Sequence, residues 1–134
     1  MEHLLRLLAD RFGFIWERDE AEVRVSTRFG GGPHRAGAEI SAGTVRLKVV
    51  LDRDELTAEL GPVDGRKLDW FTVDVVVRFL GSESDASGRL GPGQLAALEG
   101  GWERLQEAFS TPAKDESLTH LRELQRQRGR ELFG

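Results

Sequence analysis

Residues 44–62, TVRLKVVLDRDELTAELGP, place an apolar side chain at every second position twice over. Val45, Leu47, Val49 and Leu51 form the first series, and Leu56, Ala58 and Leu60 the second. A period of two sustained over that length requires β-strands with one buried face. The polar stretch Asp52-Arg53-Asp54-Glu55 lies between the two series, so they fold back on each other as an antiparallel hairpin. A symmetric turn sets Leu51 opposite Leu56, Val49 opposite Ala58, Leu47 opposite Leu60 and, on the other face, Lys48 opposite Glu59. Slipping one strand by a single residue would destroy all four matches, so the register is fixed together with the pairing.

The remainder of the chain supplies what covers that hairpin. Leu4, Leu5, Leu7, Leu8 and Phe12 share one side of a helical wheel, which predicts a helix over about 2–11 with Gly13 as its left-handed cap. The alternation of Phe14 and Trp16 predicts a short strand. A charged turn at 18–21 then leads to a second strand with Val23, Val25, Thr27 and Phe29 on one face, so that 14–17 and 23–29 make a second hairpin. Gly-rich 30–37 is expected as a loop, followed by a third short strand at Ala38, Ile40 and Ala42. The 70–81 segment is rich in valine, as a strand would be. Yet Val73, Val76, Val77 and Leu80 repeat at helical spacing, Thr72 suits a cap, Asp74 suits the positive end of the helix dipole, and Gly81 suits a stop. The caps decide for a helix. Residues 82–93 follow as a flexible linker. Leu95, Leu98, Trp102, Leu105 and Phe109 then form another helix, in which Gly100-Gly101 implies a kink or a close approach to the sheet. Beyond Pro112, a last helix begins with Asp115 and Glu116, carries Leu118, Leu121 and Leu124, and ends in Arg122, Arg126, Arg128 and Arg130. Acid first and base last matches the helix dipole, so these arginines are expected as a solvated helix end.

The predicted fold is therefore α+β: an N-terminal helix, an antiparallel meander of about five strands, then about three helices packed on one face. The opposite sheet face carries Arg24, Arg28, Arg46, Lys48, Thr57 and Glu59 and tolerates water. At 134 residues the chain suits one domain, with the helices from about 72 onward in the same core. The lack of cysteine removes disulfides, thiolate nucleophiles and cysteine metal sites, and fits a cytoplasmic setting. Arg6, Asp10 and Arg11 interrupt the N-terminal apolar run, which makes a poor signal peptide, and no apolar window is long enough to predict a membrane span. A net charge of −4 argues against nucleic acid as the main partner.

No residue pattern specifies catalysis, and neither a cofactor nor a metal is expected. Asp52, Asp54, Glu55 and Glu59 are four carboxylates within eight residues, but a hairpin tip is solvated and the spacing is not that of a calcium loop. The glycines of 30–37 lack the following Lys-Ser or Lys-Thr of a phosphate loop. His3, His34 and His120 stand far apart in unlike contexts, and no serine lies in a nucleophile elbow.

The succession Leu-Thr-Ala-Glu-Leu-Gly-Pro-Val over 56–63, a turn, Asp-Trp-Phe-Thr-Val over 69–73, and an apolar helix ending in Leu80-Gly81 resembles a pattern in small uncharacterised bacterial proteins. Some of those resemble the immunity proteins of polymorphic toxin systems. The resemblance implies a cytoplasmic, non-enzymatic protein that binds a cognate toxin and occludes it. An acidic chain would complement a basic toxin domain. The expected contacts are Asp52, Asp54 and Glu55 at the hairpin tip and Glu83 and Asp85 in the linker, with Trp70 as the aromatic anchor. A second expectation is a small-ligand protein, its apolar pocket lined by Trp16, Trp70 and Trp102 and its ligand anion held by Arg24, Arg28, Arg46 or Lys48.

Overall fold

A computed structural model describes residues 2–18, 21–26, 35–83 and 87–133. Helix α1 (Glu2–Arg11) and the short α2 (Gly13–Arg18) precede strands β1 (Ala21–Ser26), β2 (Arg35–Ala42), β3 (Val45–Asp52), β4 (Glu55–Pro62) and β5 (Phe71–Thr72). Helices α3 (Val73–Phe79), α4 (Pro92–Ala108) and α5 (Lys114–Phe133) follow. The five strands form one antiparallel sheet in chain order. The predicted α+β architecture is the one observed.

The β3–β4 hairpin has the predicted register, pairing Leu47 with Leu60, Lys48 with Glu59, Val49 with Ala58 and Leu51 with Leu56. Leu47 and Leu60 are 1% and 0% exposed, whereas the side chains of Lys48 and Glu59 are 23% and 42% exposed. The apolar face of β2, β3 and β4 thus lies under the helices and the charged face remains open. Arg53 and Asp54 turn the chain with positive φ angles of 50° and 68°, the backbone that a tight two-residue hairpin demands.

Four expectations before this hairpin change. Phe14 and Ile15 are neighbours in sequence, yet both are buried, which a strand with one buried face does not allow. They belong to α2, where Phe14 meets Trp102 edge-on with ring centroids 5.5 Å apart. Gly13 is not a left-handed cap; it opens α2. The predicted hairpin between 14–17 and 23–29 is therefore replaced. Strand β1 pairs instead with β2, Val23 opposite Ile40 and Arg24 opposite Glu39. Arg35, Ala36 and Gly37, expected in a loop, begin β2. Thr27, Arg28, Phe29 and 30–34 lie outside the described residues. The fifth strand is β5, which pairs Phe71 with Leu60 and Thr72 with Glu59.

Helix α3 is the hub of the helical layer, touching β4, β5, α4 and α5. Thr72 occupies its N-cap position with extended backbone but makes no side-chain cap bond. Gly81, with φ 90°, closes the helix as expected: the Gly81 and Ser82 N–H groups donate to the Arg78 and Val77 carbonyls. Within 82–93, read as a flexible linker, the backbone is tied to β4. The Ala58 N–H donates to the Gly88 carbonyl at 3.2 Å, and the Leu90 N–H to the Leu56 carbonyl at 2.8 Å. In α4, Gly101 lies against Leu80 at the end of α3 rather than against the sheet, and Gly100 faces open space. Gln106 of α4 instead reaches the sheet, accepting from the Thr44 N–H at 2.8 Å and donating to the Ala42 carbonyl at 2.9 Å.

The arginines of α5 are not a simple solvated end. Arg128 Nε donates to Asp74 Oδ2 at 2.8 Å, and Asp74 is wholly buried, so that carboxylate ties α3 to α5 instead of serving the dipole. One turn on, Arg78 grips Glu131 through two bonds of 3.0 and 2.8 Å. This fork holds the Glu131 carboxyl below its ordinary pKa. Arg126 and Arg130 both reach Glu123 on their own helix.

Candidate functional site

The acidic residues expected at the hairpin tip are matched by the protein's own arginines. Asp52 stands 3.6 Å from Arg35 across the β2–β3 pair, and Glu55 pairs with Arg89. Beside the tip is an open cleft of about 480 Å³ lined by Arg11, Arg53, Asp54, Glu55 and Arg89, three cations to two carboxylates. The tip is a mixed-charge surface rather than an acidic one. Glu83 is exposed just past α3, whereas Asp85 lies outside the described residues.

Trp70 is half-buried at the far end of the hairpin from that tip. Its ring lies 4.1 Å from the Arg46 guanidinium carbon and 4.7 Å from Lys48 Nζ, two neighbours on the open face of β3. Both distances fall within cation–π range. Trp102 is fully buried among the helices on the other face of the sheet. These two tryptophans therefore cannot line one cavity, and the pocket expected of a small-ligand protein is not formed by them; the Trp16 side chain lies outside the described residues.

The loop between β4 and β5 leads into Trp70 and is held from three directions. Arg46 Nη2 donates to the carbonyls of Arg66 at 2.6 Å and Asp69 at 3.3 Å. Lys114 of α5 reaches Asp64 at 3.1 Å, and Arg122 of α5 reaches Asp69 Oδ1 at 2.9 Å. Asp69 also accepts the Arg66 N–H through Oδ2 at 2.9 Å. Burial drives the Asp69 pKa upward, but the Arg66 N–H and the Arg122 guanidinium outweigh it, and the carboxyl ends below its ordinary value. Gly61 allows the loop to close: a Cβ there would strike the Asp69 carbonyl oxygen.

What this brace displays is apolar. Leu68 is 91% exposed and Val63 is 43% exposed, both on the same short loop as Trp70. Arg66 and Lys67 beside them are exposed as well. An exposed large aliphatic on a pinned loop next to a half-buried tryptophan has the make-up of a binding epitope. Leu68, Val63, Arg66 and Lys67 were not singled out in the sequence, where 63–67 reads as a plain turn. The available signal was a leucine in a charged turn with no periodic partner. Between this loop and the start of α5 lies a polar crevice of about 270 Å³, lined by Asp64, Arg66, Asp69, Lys114, Asp115 and Arg122.

Among the described residues, no group of three or more histidines, cysteines or carboxylates is placed to hold a metal ion, and no helix is long and apolar enough to cross a membrane. His120 packs edge-on against Phe79 with centroids 5.3 Å apart. No family model, curated protein or solved structure matches the chain.

Proposed function

We propose that this chain is a non-enzymatic protein-binding module that docks through the 63–70 loop and the adjoining open face of the sheet. The immunity-type role implied by the 45–81 resemblance, occlusion of a cognate bacterial toxin by a cytoplasmic protein, is the specific form of this proposal. The observation that carries it is Leu68, 91% exposed on a loop that three distant cations hold rigid. Ordering such a loop before binding removes much of the entropic cost of docking. A flexible, solvated turn has no need of an exposed leucine or of that bracing.

The test is co-purification with the product of the adjacent gene in the source genome, followed by titration of the isolated pair. Leu68→Ala and Trp70→Ala each weaken the complex by about 30-fold or more, the scale of a binding hot spot. Asp54→Ala at the hairpin tip leaves affinity within about threefold. A complex indifferent to both Leu68 and Trp70 would remove the loop from the interface.

A further inference from the structure

Charge is unevenly spent around this loop. Asp64 and Asp69, its two carboxylates, are already paired with Lys114 and Arg122. Arg46, Arg66 and Lys67 form no ion pair with any described residue; Arg46 donates only to backbone carbonyls. A chain of net charge −4 thus gathers three cations without an ion pair among the described residues around its most exposed leucine. The hairpin tip, where acidic contacts were expected, has Asp52 and Glu55 matched by Arg35 and Arg89.

From this we infer that the partner is a protein whose contact surface is acidic, with an apolar pocket that receives Leu68 inside a carboxylate rim that meets Arg66, Lys67 and Arg46. The inference rests on the docking surface proposed above and reverses the charge first expected of the partner. Leucine at the centre and cations around it is the arrangement of a protein interface: an apolar core excludes water and a charged rim steers approach. Single-stranded nucleic acid would also be drawn to cations beside a tryptophan. An exposed aliphatic side chain gains nothing on a phosphate backbone, however, and one side of the Trp70 ring is already taken by Arg46 and Lys48.

The experiment places a photoreactive benzoylphenylalanine at position 68 of the full chain, and at exposed Glu103 on α4 as control, in cells of the source organism. The protein cross-linked at 68 is identified, purified and titrated against the wild-type chain, Leu68→Ala and the double variant Arg66→Glu/Lys67→Glu, at low and high salt. A fluorescent mixed-sequence 20-mer of single-stranded DNA is titrated in parallel. The expected result is a protein adduct specific to 68, affinity that falls as salt rises, and a loss of about 100-fold on double charge reversal. Both reversed residues are exposed, so circular dichroism of the double variant stays unchanged. If Leu68→Ala weakens the complex while charge reversal leaves or tightens it, the acidic partner is wrong and the docking surface survives. If neither change matters, or adducts form at 103 and not at 68, the docking surface itself is wrong. Tight, salt-sensitive binding of the DNA that charge reversal abolishes would assign the loop to nucleic acid instead.

Discussion

At the scale of single residues, two buried aspartates make different demands. Asp74 is wholly buried with one oxygen on Arg128 and the other without a partner. Removing either member strands a charge that has been taken out of water, at a cost of about 3 kcal/mol or more. Asp74→Ala and Arg128→Ala are therefore each expected to be strongly destabilising in urea titrations. The double variant Asp74→Leu/Arg128→Met should cost far less than their sum, and a cycle in which the two effects simply add would show that the pair is not coupled. Asp69 predicts a pH dependence. Its folded pKa lies below its ordinary, unfolded value. Stability from this group is thus complete above that unfolded value and fades as pH falls through the folded one. The stability difference between wild type and Asp69→Asn should hold steady from pH 7 to 5 and shrink below about pH 4. A difference unchanged down to pH 3 would mean that the carboxylate charge contributes nothing to bracing the loop.

At the scale of elements, the paired glycines of α4 separate backbone preference from packing. A Cβ at Gly100 meets nothing within 4 Å, so Gly100→Ala should gain about 1 kcal/mol of helix propensity. A Cβ at Gly101 would lie 2.7 Å from Leu80 Cδ1, in a buried contact between α4 and the end of α3. Gly101→Ala should forfeit that gain and lower the urea midpoint; equal stabilisation by both would show that Leu80 moves aside freely. The same contrast explains which elements could be read from the sequence. The β3–β4 hairpin was legible because its pattern runs for sixteen residues and four of its cross-strand pairs, Leu47–Leu60, Lys48–Glu59, Val49–Ala58 and Leu51–Leu56, agree in character. Phe14 and Trp16 offered a period of two over three residues only, and burial of the adjacent Phe14 and Ile15 decided for a helix. Strand β5 is two residues long and exists because Phe71 and Thr72 lie alongside Leu60 and Glu59, a contact that no local pattern announces.

For the molecule as a whole, long-range charge pairs account for much of what the sequence concealed. Leu68 is displayed by a loop whose anchors come from Arg46, 20 residues before the carbonyl it holds, and from Lys114 and Arg122, 50 and 53 residues beyond theirs. No window of sequence contains both halves of that brace. The same is true of α5, where Arg122 and Arg128 looked solvated because their partners Asp69 and Asp74 lie more than fifty residues away. The docking of this helix changes character along its length. Its buried residues, Ser117, Leu118 and Leu121, are in its first half, while its second half is held by the Arg128–Asp74 and Arg78–Glu131 pairs. Salt screens an exposed pair far more than a buried one. The Glu131 side chain is 51% exposed and that of Asp74 is 0% exposed, so raising salt from about 0.05 to 0.5 M should loosen the last turn first. Hydrogen exchange should accelerate over 129–133, change little from 117 to 125, and leave β3 and β4 untouched, because sub-global opening follows the weakest local contacts. Acceleration along the whole of α5 would mean that the helix undocks as a unit and that Leu118 and Leu121 do not anchor it. No response at the last turn would mean that the Arg78–Glu131 fork adds nothing to holding the helix down.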